Sequence, residues 1–129
     1  MNALVTKIGY IVFAHGSSIE SANEAVRVVA AEMARRGGLE IVETAFLEGG
    51  RPDLVGALEA MAGRVSRGVV VPYFLTLGLH LQRDLPRLIE SVRRAHPGLS
   101  IDVTPPLDQH LGMADALLDR ARESAWKRS

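Results

Sequence analysis

Two of the four histidines stand at the end of apolar runs. His15 closes "IGYIVFAH", and His80 follows "VVVPYFLTLGLH". A neutral imidazole binds metals and also accepts protons near neutral pH. Two histidines on separate loops cannot form a closed structural zinc site, which takes four protein ligands. They suit a metal with open coordination positions, or an acid–base pair. The competing reading makes each one a hydrogen-bonded polar residue at a strand end. Glu48, in "AFLEGGRPDL", is placed to act as a third ligand, a proton acceptor or a contact to a cation, or else as a solvated loop carboxylate. In "HGSS", Gly16, Ser17 and Ser18 offer backbone N–H groups to an anion at a helix N-terminus. Ser17 followed by Glu20 also reads as a capping box, which would commit the serine to the helix.

Other side chains carry weaker signals. Asp84 is a candidate to orient His80 by hydrogen bonding, or a first-turn acid of the following helix. Arg51, Arg83 and Arg87 fall near the same segments and suit carboxylate binding, or plain solvation. His96 and His110 lie in turn contexts near helix ends and read as structural or surface. Trp126, near the chain's end, suits an interface anchor or local packing.

The elements that must hold these groups alternate. Strands are expected at Ile8 to Ala14, Glu40 to Phe46, Gly68 to about Leu75, and Leu99 to Thr104. Apolar residues at helical spacing follow each strand: Ala22, Val26, Val29, Ala30 and Met33; Leu54, Leu58, Met61 and Val65; Leu85, Leu88, Ile89 and Val92; and Leu111, Ala114, Leu117, Leu118 and Ala121. Gly37 and Gly38 end the first helix, and Pro52 is expected in the first turn of the second. Strand–helix alternation implies an α/β fold, with a parallel sheet and helices on both faces. Strands one and three are apolar throughout and belong in the centre; strands two and four are partly polar and belong at the edges. The order 2-1-3-4, flavodoxin-like, satisfies this. It puts the topological switch between strands one and three, where such sheets bind ligands off the strands' carboxyl ends. His15, Glu48 and the segment leading to His80 then share one rim. Pro72 resists the scheme, because proline removes a ladder donor and suggests a bulge.

Composition narrows the function. The 129 residues suit a single domain over 1–129, 47% hydrophobic and 23% charged. Fifteen basic and 15 acidic residues balance, which argues against a nucleic-acid partner. With no cysteine there is no disulfide, thiolate metal site or cysteine nucleophile. No apolar run approaches the ~20 residues of a membrane span, and "MNALVTKIGYIVFA" lacks the ordered layout of a signal peptide. A soluble, cytoplasmic protein is expected.

Four segments, "IVFAHGS", "AFLEGGRPDL", "VVVPYFLTLGLHLQRDLP" and "PPLDQHLGMADALLDR", together resemble the small class of sirohydrochlorin chelatases. These are the short, single-module members of the cobaltochelatase and ferrochelatase group that serves cobalamin and sirohaem biosynthesis. The resemblance implies a chelatase-like half module that forms a homodimer. It implies insertion of cobalt or iron, in some relatives nickel, into sirohydrochlorin, with the metal as substrate and no tightly bound cofactor. It carries the two active-site histidines to His15 and His80 and the acidic position to Glu48. Relatives often place a basic residue where this chain has Ser18, which removes one contact to the substrate's carboxylates. The histidine-rich tail of some relatives is not seen, so metal delivery by a tail is not expected. Two other readings stay open: a non-catalytic tetrapyrrole or metal carrier, and a phosphoryl-transfer enzyme with His15 as nucleophile. Ala14, where histidine phosphatases have arginine, opposes the second.

Overall fold

A computed structural model describes residues 7–128, with side chains through residue 124. Residues 1–6, part of the segment read for a leader, and the Trp126 side chain lie outside it. The elements run β1 (Ile8–Ala14), α1 (Glu20–Gly37), β2 (Val42–Phe46), α2 (Leu54–Ala62), β3 (Arg67–Tyr73), α3 (Leu79–Ala95), β4 (Ser100–Val103) and α4 (Gly112–Arg128). The four strands are parallel in the order β2-β1-β3-β4, as the edge and centre compositions require. Ala14 lies opposite both Phe46 and Tyr73, so three strands reach one rim in register.

Pro72 needs no bulge. The β1–β3 register is unbroken from Ile8–Arg67 to Ala14–Tyr73. Val70 O accepts the Thr104 N–H, so the even-numbered backbone of this strand faces β4. That neighbour ends at Val103 and its pairing with β3 stops at Val70, so residue 72 lies beyond the ladder. Proline is tolerated because β3 is an edge at that point.

The core forms between the sheet and the α2–α3 layer. Ile11, Phe13, Ala45, Val70 and Ile101 meet Leu54, Leu58, Met61, Leu85, Ile89 and Val92. Full burial of each large member contributes about 1.5–3 kcal/mol. Phe13 also meets Phe74 edge-on, with centroids 5.6 Å apart, which ties the segment after β3 to the core. The opposite face is only half covered. α1 packs over β1 and β2, but Val69 and Val71 are half-buried and Tyr73 is exposed. The apolar stripe expected on the fourth helix is not buried: Leu111, Leu117 and Leu118 are 85%, 70% and 46% exposed, and among the described residues α4 has no substantial contact with the sheet. Periodicity makes one side of that helix apolar, and among the described residues little covers it.

Helix starts differ from expectation in physically clear ways. Ser17 does not cap α1; Ile19 is the N-cap, and no side chain caps it. Ser17 Oγ instead accepts the Ile19 N–H at 3.0 Å, a local turn, while Glu20 pairs with Arg27 at 2.6 Å. The buried stripe of α1 is turned toward Asn23 and Ala30, leaving Ala22 and Val29 exposed. Pro52 precedes the first turn of α2 rather than entering it. The cap is Asp53, which accepts the Gly56 N–H at 2.8 Å. α3 begins at Leu79, which puts His80 in its first turn rather than on a loop. No described helix is long and apolar enough to cross a membrane.

Candidate active site

Parallel strands in register bring the residues after Ala14 and Phe46 to the same edge. The pairing continues past both strands: Leu47 N–H donates to Ala14 O, and Glu48 N–H donates to His15 O, each at 2.9 Å. The two loops touch backbone to backbone. A Cβ on Gly16, at φ +88°, would lie 1.7 Å from Glu48 O; one on Gly49, at φ +70°, would lie 2.7 Å from the Ser17 carbonyl carbon. Only glycine permits both the left-handed backbone and the approach.

This contact aims His15 at Glu48. The ring Nδ1 is 3.1 Å from Gly16 O, and Nε2 is 3.5 Å from Glu48 Oε1. A carbonyl has no proton to give, so Nδ1 carries the hydrogen and Nε2 faces the carboxylate. Both side chains are well exposed, at 62% and 71%. An ion bound at about 2.1 Å from each donor would subtend about 110° between them, close to tetrahedral, with its other positions open. Without an ion, the same pair suits an imidazolium beside a carboxylate.

His80 stands apart from that pair. Its Nδ1 is 3.0 Å from Arg83 Nη2. A guanidinium only donates, so Nδ1 accepts and the neutral ring keeps its proton on Nε2. Asp84 was a candidate for orienting this ring, but the orienting partner is Arg83, one residue earlier. Nor is Asp84 a first-turn acid, since α3 has none. His80, Leu81, Asp84, Arg87 and Leu88 line a hollow of about 350 Å³ that reaches Leu47, the residue before Glu48. His15, Glu48 and His80 therefore border one end of the sheet. Among the described residues, however, no three acidic or histidine groups converge on one metal position. On the other flank, Arg27, Arg51 and Asp53 line a second groove with Gly49 and Gly50.

The "HGSS" loop is less free for anions than its pattern suggests. The Ser17 N–H donates to Asn23 Oδ1 at 2.9 Å, and the Ile19 N–H to Ser17 Oγ. Ser18 is exposed on the rim. Beside it, Glu20 is held below the usual carboxylate range by its hydrogen bond from Arg27, then by Asn23. His96 and His110 are structural, as expected: His96 Nε2 lies 3.4 Å from Glu59 Oε2, and His110 Nδ1 accepts the Gly112 N–H at 2.9 Å. Sequence reasoning missed Asn23. Its signal was a polar residue within an otherwise apolar helix face, three and seven positions before Val26 and Ala30.

Comparisons with known proteins show the family and the fold. A family model described as CbiX matches residues 9–124. The chain belongs to the CbiX family. It is 29% identical to the sirohydrochlorin cobaltochelatase of Methanosarcina barkeri, over 94% of this chain and 99% of the relative. Among solved structures it is similar to the CbiX protein from Marinobacter aquaeolei VT8, with TM-score 0.77 and 29% identity over 95% of this chain and 99% of that one. It shares the fold of the sirohydrochlorin chelatase SirB from Bacillus subtilis subspecies spizizenii in complex with cobalt. There the TM-score is 0.80 at 21% identity, covering 91% of this chain and 50% of that one.

Proposed function

We propose that this protein inserts a divalent metal, cobalt or iron, into sirohydrochlorin, with nickel a further candidate. The observation that carries the reading is the His15–Glu48 pair, 3.5 Å apart at the carboxyl ends of β1 and β2. Two donors with open positions hold a hydrated ion without caging it, which suits a metal in transit rather than a resident one. Relatives named as sirohydrochlorin cobaltochelatases supply the substrate class.

Insertion exchanges one metal ion for two pyrrole protons and strips the ion of its other ligands. His15 Nε2 and Glu48 first offer the metal two bonds. Once the ion moves to the ring nitrogens, both groups are free to take up the released protons. His80 presents its Nε2–H on the α3 side, where it orients the macrocycle or, after parting from Arg83, contacts the metal. Arg51 and Arg87 supply positive charge for the macrocycle's carboxylates, and Gly16, Ser17 and Ser18 form the rim beneath it.

One module provides one wall. The hollow at His80, about 350 Å³, is small for a tetrapyrrole, and the chain matches half the length of SirB. The uncovered half of the sheet and the apolar side of α4 fit a second copy of this chain. A cytoplasmic homodimer, with each chain a single module and no nucleic-acid or membrane partner, follows from this reading.

The test is anaerobic sirohydrochlorin mixed with the protein and Co2+, then Fe2+ and Ni2+, followed by absorption. Multiple turnovers, reduced about 100-fold or more in His15→Ala and Glu48→Gln, are expected. A stoichiometric spectral shift without turnover would make the protein a carrier, and no shift would remove sirohydrochlorin as its ligand.

A further inference from the structure

Asn23 is 1% exposed, the one fully buried polar side chain among the described residues. It belongs to α1, yet its short bonds all go elsewhere. Oδ1 accepts the Ser17 N–H at 2.9 Å, and Nδ2 donates to Ser17 O at 2.8 Å and to Gly49 O at 3.0 Å. The backbone partners dictate which end of the amide is oxygen and which is nitrogen. Ser17 is two residues from His15, and Gly49 is next to Glu48. Because Gly16 and Gly49 bring these loops into direct backbone contact, Asn23 is the side chain that spans them. Its Nδ2 also lies 3.0 Å from where a Gly50 Cβ would be, so the loop is shaped around it.

We propose that Asn23 is a positioning residue. By clamping the loop after β1 to the loop after β2, it sets the distance between His15 Nε2 and Glu48 Oε1, on which two-point metal capture depends. The inference rests on reading that pair as the metal-handling site. The tolerance is narrow. Donors bonding an ion at about 2.1 Å cannot share it once they are more than about 4.2 Å apart. From 3.5 Å, a parting of about 0.7 Å is enough to end the bridge. Removing the amide strands two backbone acceptors and one donor in a part-buried place, and water that replaces it to satisfy them loosens the tie between the loops.

The experiment compares wild type, Asn23→Ala, Asn23→Ser, Glu48→Gln and Ile89→Val. The last trims the core of the opposite layer, far from both loops. Each protein is titrated with Co2+ alone, reading affinity and the visible ligand-field spectrum, and is then assayed for turnover. Asn23→Ala is expected to weaken Co2+ binding about 10–100-fold and to move the spectrum toward that of Glu48→Gln. It should lower kcat while the KM for sirohydrochlorin stays within about twofold. Ile89→Val should lower Tm and change neither readout. Asn23→Ser supplies the same comparison if the alanine variant does not fold. Wild-type affinity and spectrum in the Asn23 variants would overturn the inference, as would a loss matched by Ile89→Val or a failure of wild type to bind Co2+. The two proposals separate cleanly. Weakened Co2+ binding in Asn23→Ala, with no turnover even in wild type, keeps the clamp and removes the chelatase; full turnover with unchanged affinity in Asn23→Ala does the reverse.

Discussion

Replacing Gly16 by alanine tests the loop contact directly, because Gly38 provides a matched control. Both glycines have positive φ, +88° and +60°, but a Cβ at Gly38 meets nothing within 4 Å, whereas one at Gly16 lies 1.7 Å from Glu48 O. Gly38→Ala therefore reports the left-handed backbone alone, about 1–2 kcal/mol. Gly16→Ala adds the displacement of a backbone carbonyl by more than 1 Å. That breaks the bond from Glu48 N–H to His15 O, worth about 1 kcal/mol, and disturbs the Asn23 bonds, worth another 1–2 kcal/mol or about that. The expected totals are about 1–2 kcal/mol for Gly38→Ala and about 3–5 kcal/mol for Gly16→Ala. For a chain of this length each kcal/mol moves Tm by about 4 °C. Gly38→Ala should lower Tm by about 4–8 °C and Gly16→Ala by about 12–20 °C, measured at one protein concentration so that self-association does not enter. Metal insertion should survive in Gly38→Ala and fall about 10-fold or more in Gly16→Ala. Equal Tm shifts in the two variants would refute the backbone contact and the site geometry built on it.

Three further outcomes follow from the structure. Glu32 accepts hydrogen bonds from Arg35 and then Arg36, which lower its carboxyl from 4.5 to about 2; a depressed folded value stabilises fully above pH 4.5 and is lost as pH falls through 2. The Tm difference between wild type and Glu32→Gln should therefore be small but constant near neutrality and vanish across that acid window. Nitrogen NMR of the neutral His80 ring should find the hydrogen on Nε2, and Arg83→Met should relax that preference toward a tautomer mixture. In sedimentation analysis, Leu117→Glu with Leu118→Glu should convert the proposed dimer into a monomer; an unchanged dimer would place the interface away from α4.

Much of this fold is written in residue patterns. The apolar runs of β1 and β3 and the mixed β2 and β4 determine the strand order, because burial on two faces demands continuous apolarity. The same order places His15 and Glu48 on one rim. What pattern does not carry is the partner of each exposed group. His80 and Arg83 are three apart, a spacing that means contact only once α3 is known to begin at Leu79. α1 is rotated by about one position from its apolar periodicity because Asn23, a polar residue, takes a buried place through backbone bonds that sequence does not display. The α4 stripe was readable as apolar, but apolar spacing does not say what it packs against, and among the described residues it stays exposed. Pro72 looked like an obstacle because the length of the neighbouring strand, not the identity of the residue, decides whether its missing N–H matters.

The glycine contact between the loops also shapes how such a site can change over generations. A residue inserted between His15 and Ser17, or between Glu48 and Gly50, would collide with the opposite backbone, so those two loops can drift only together. Gly78, just before α3, has no such crowding: a Cβ there meets nothing within 4 Å. A lineage adapting to another metal or another macrocycle has its free variable there, on the His80 side, while the His15 side stays as a fixed anvil.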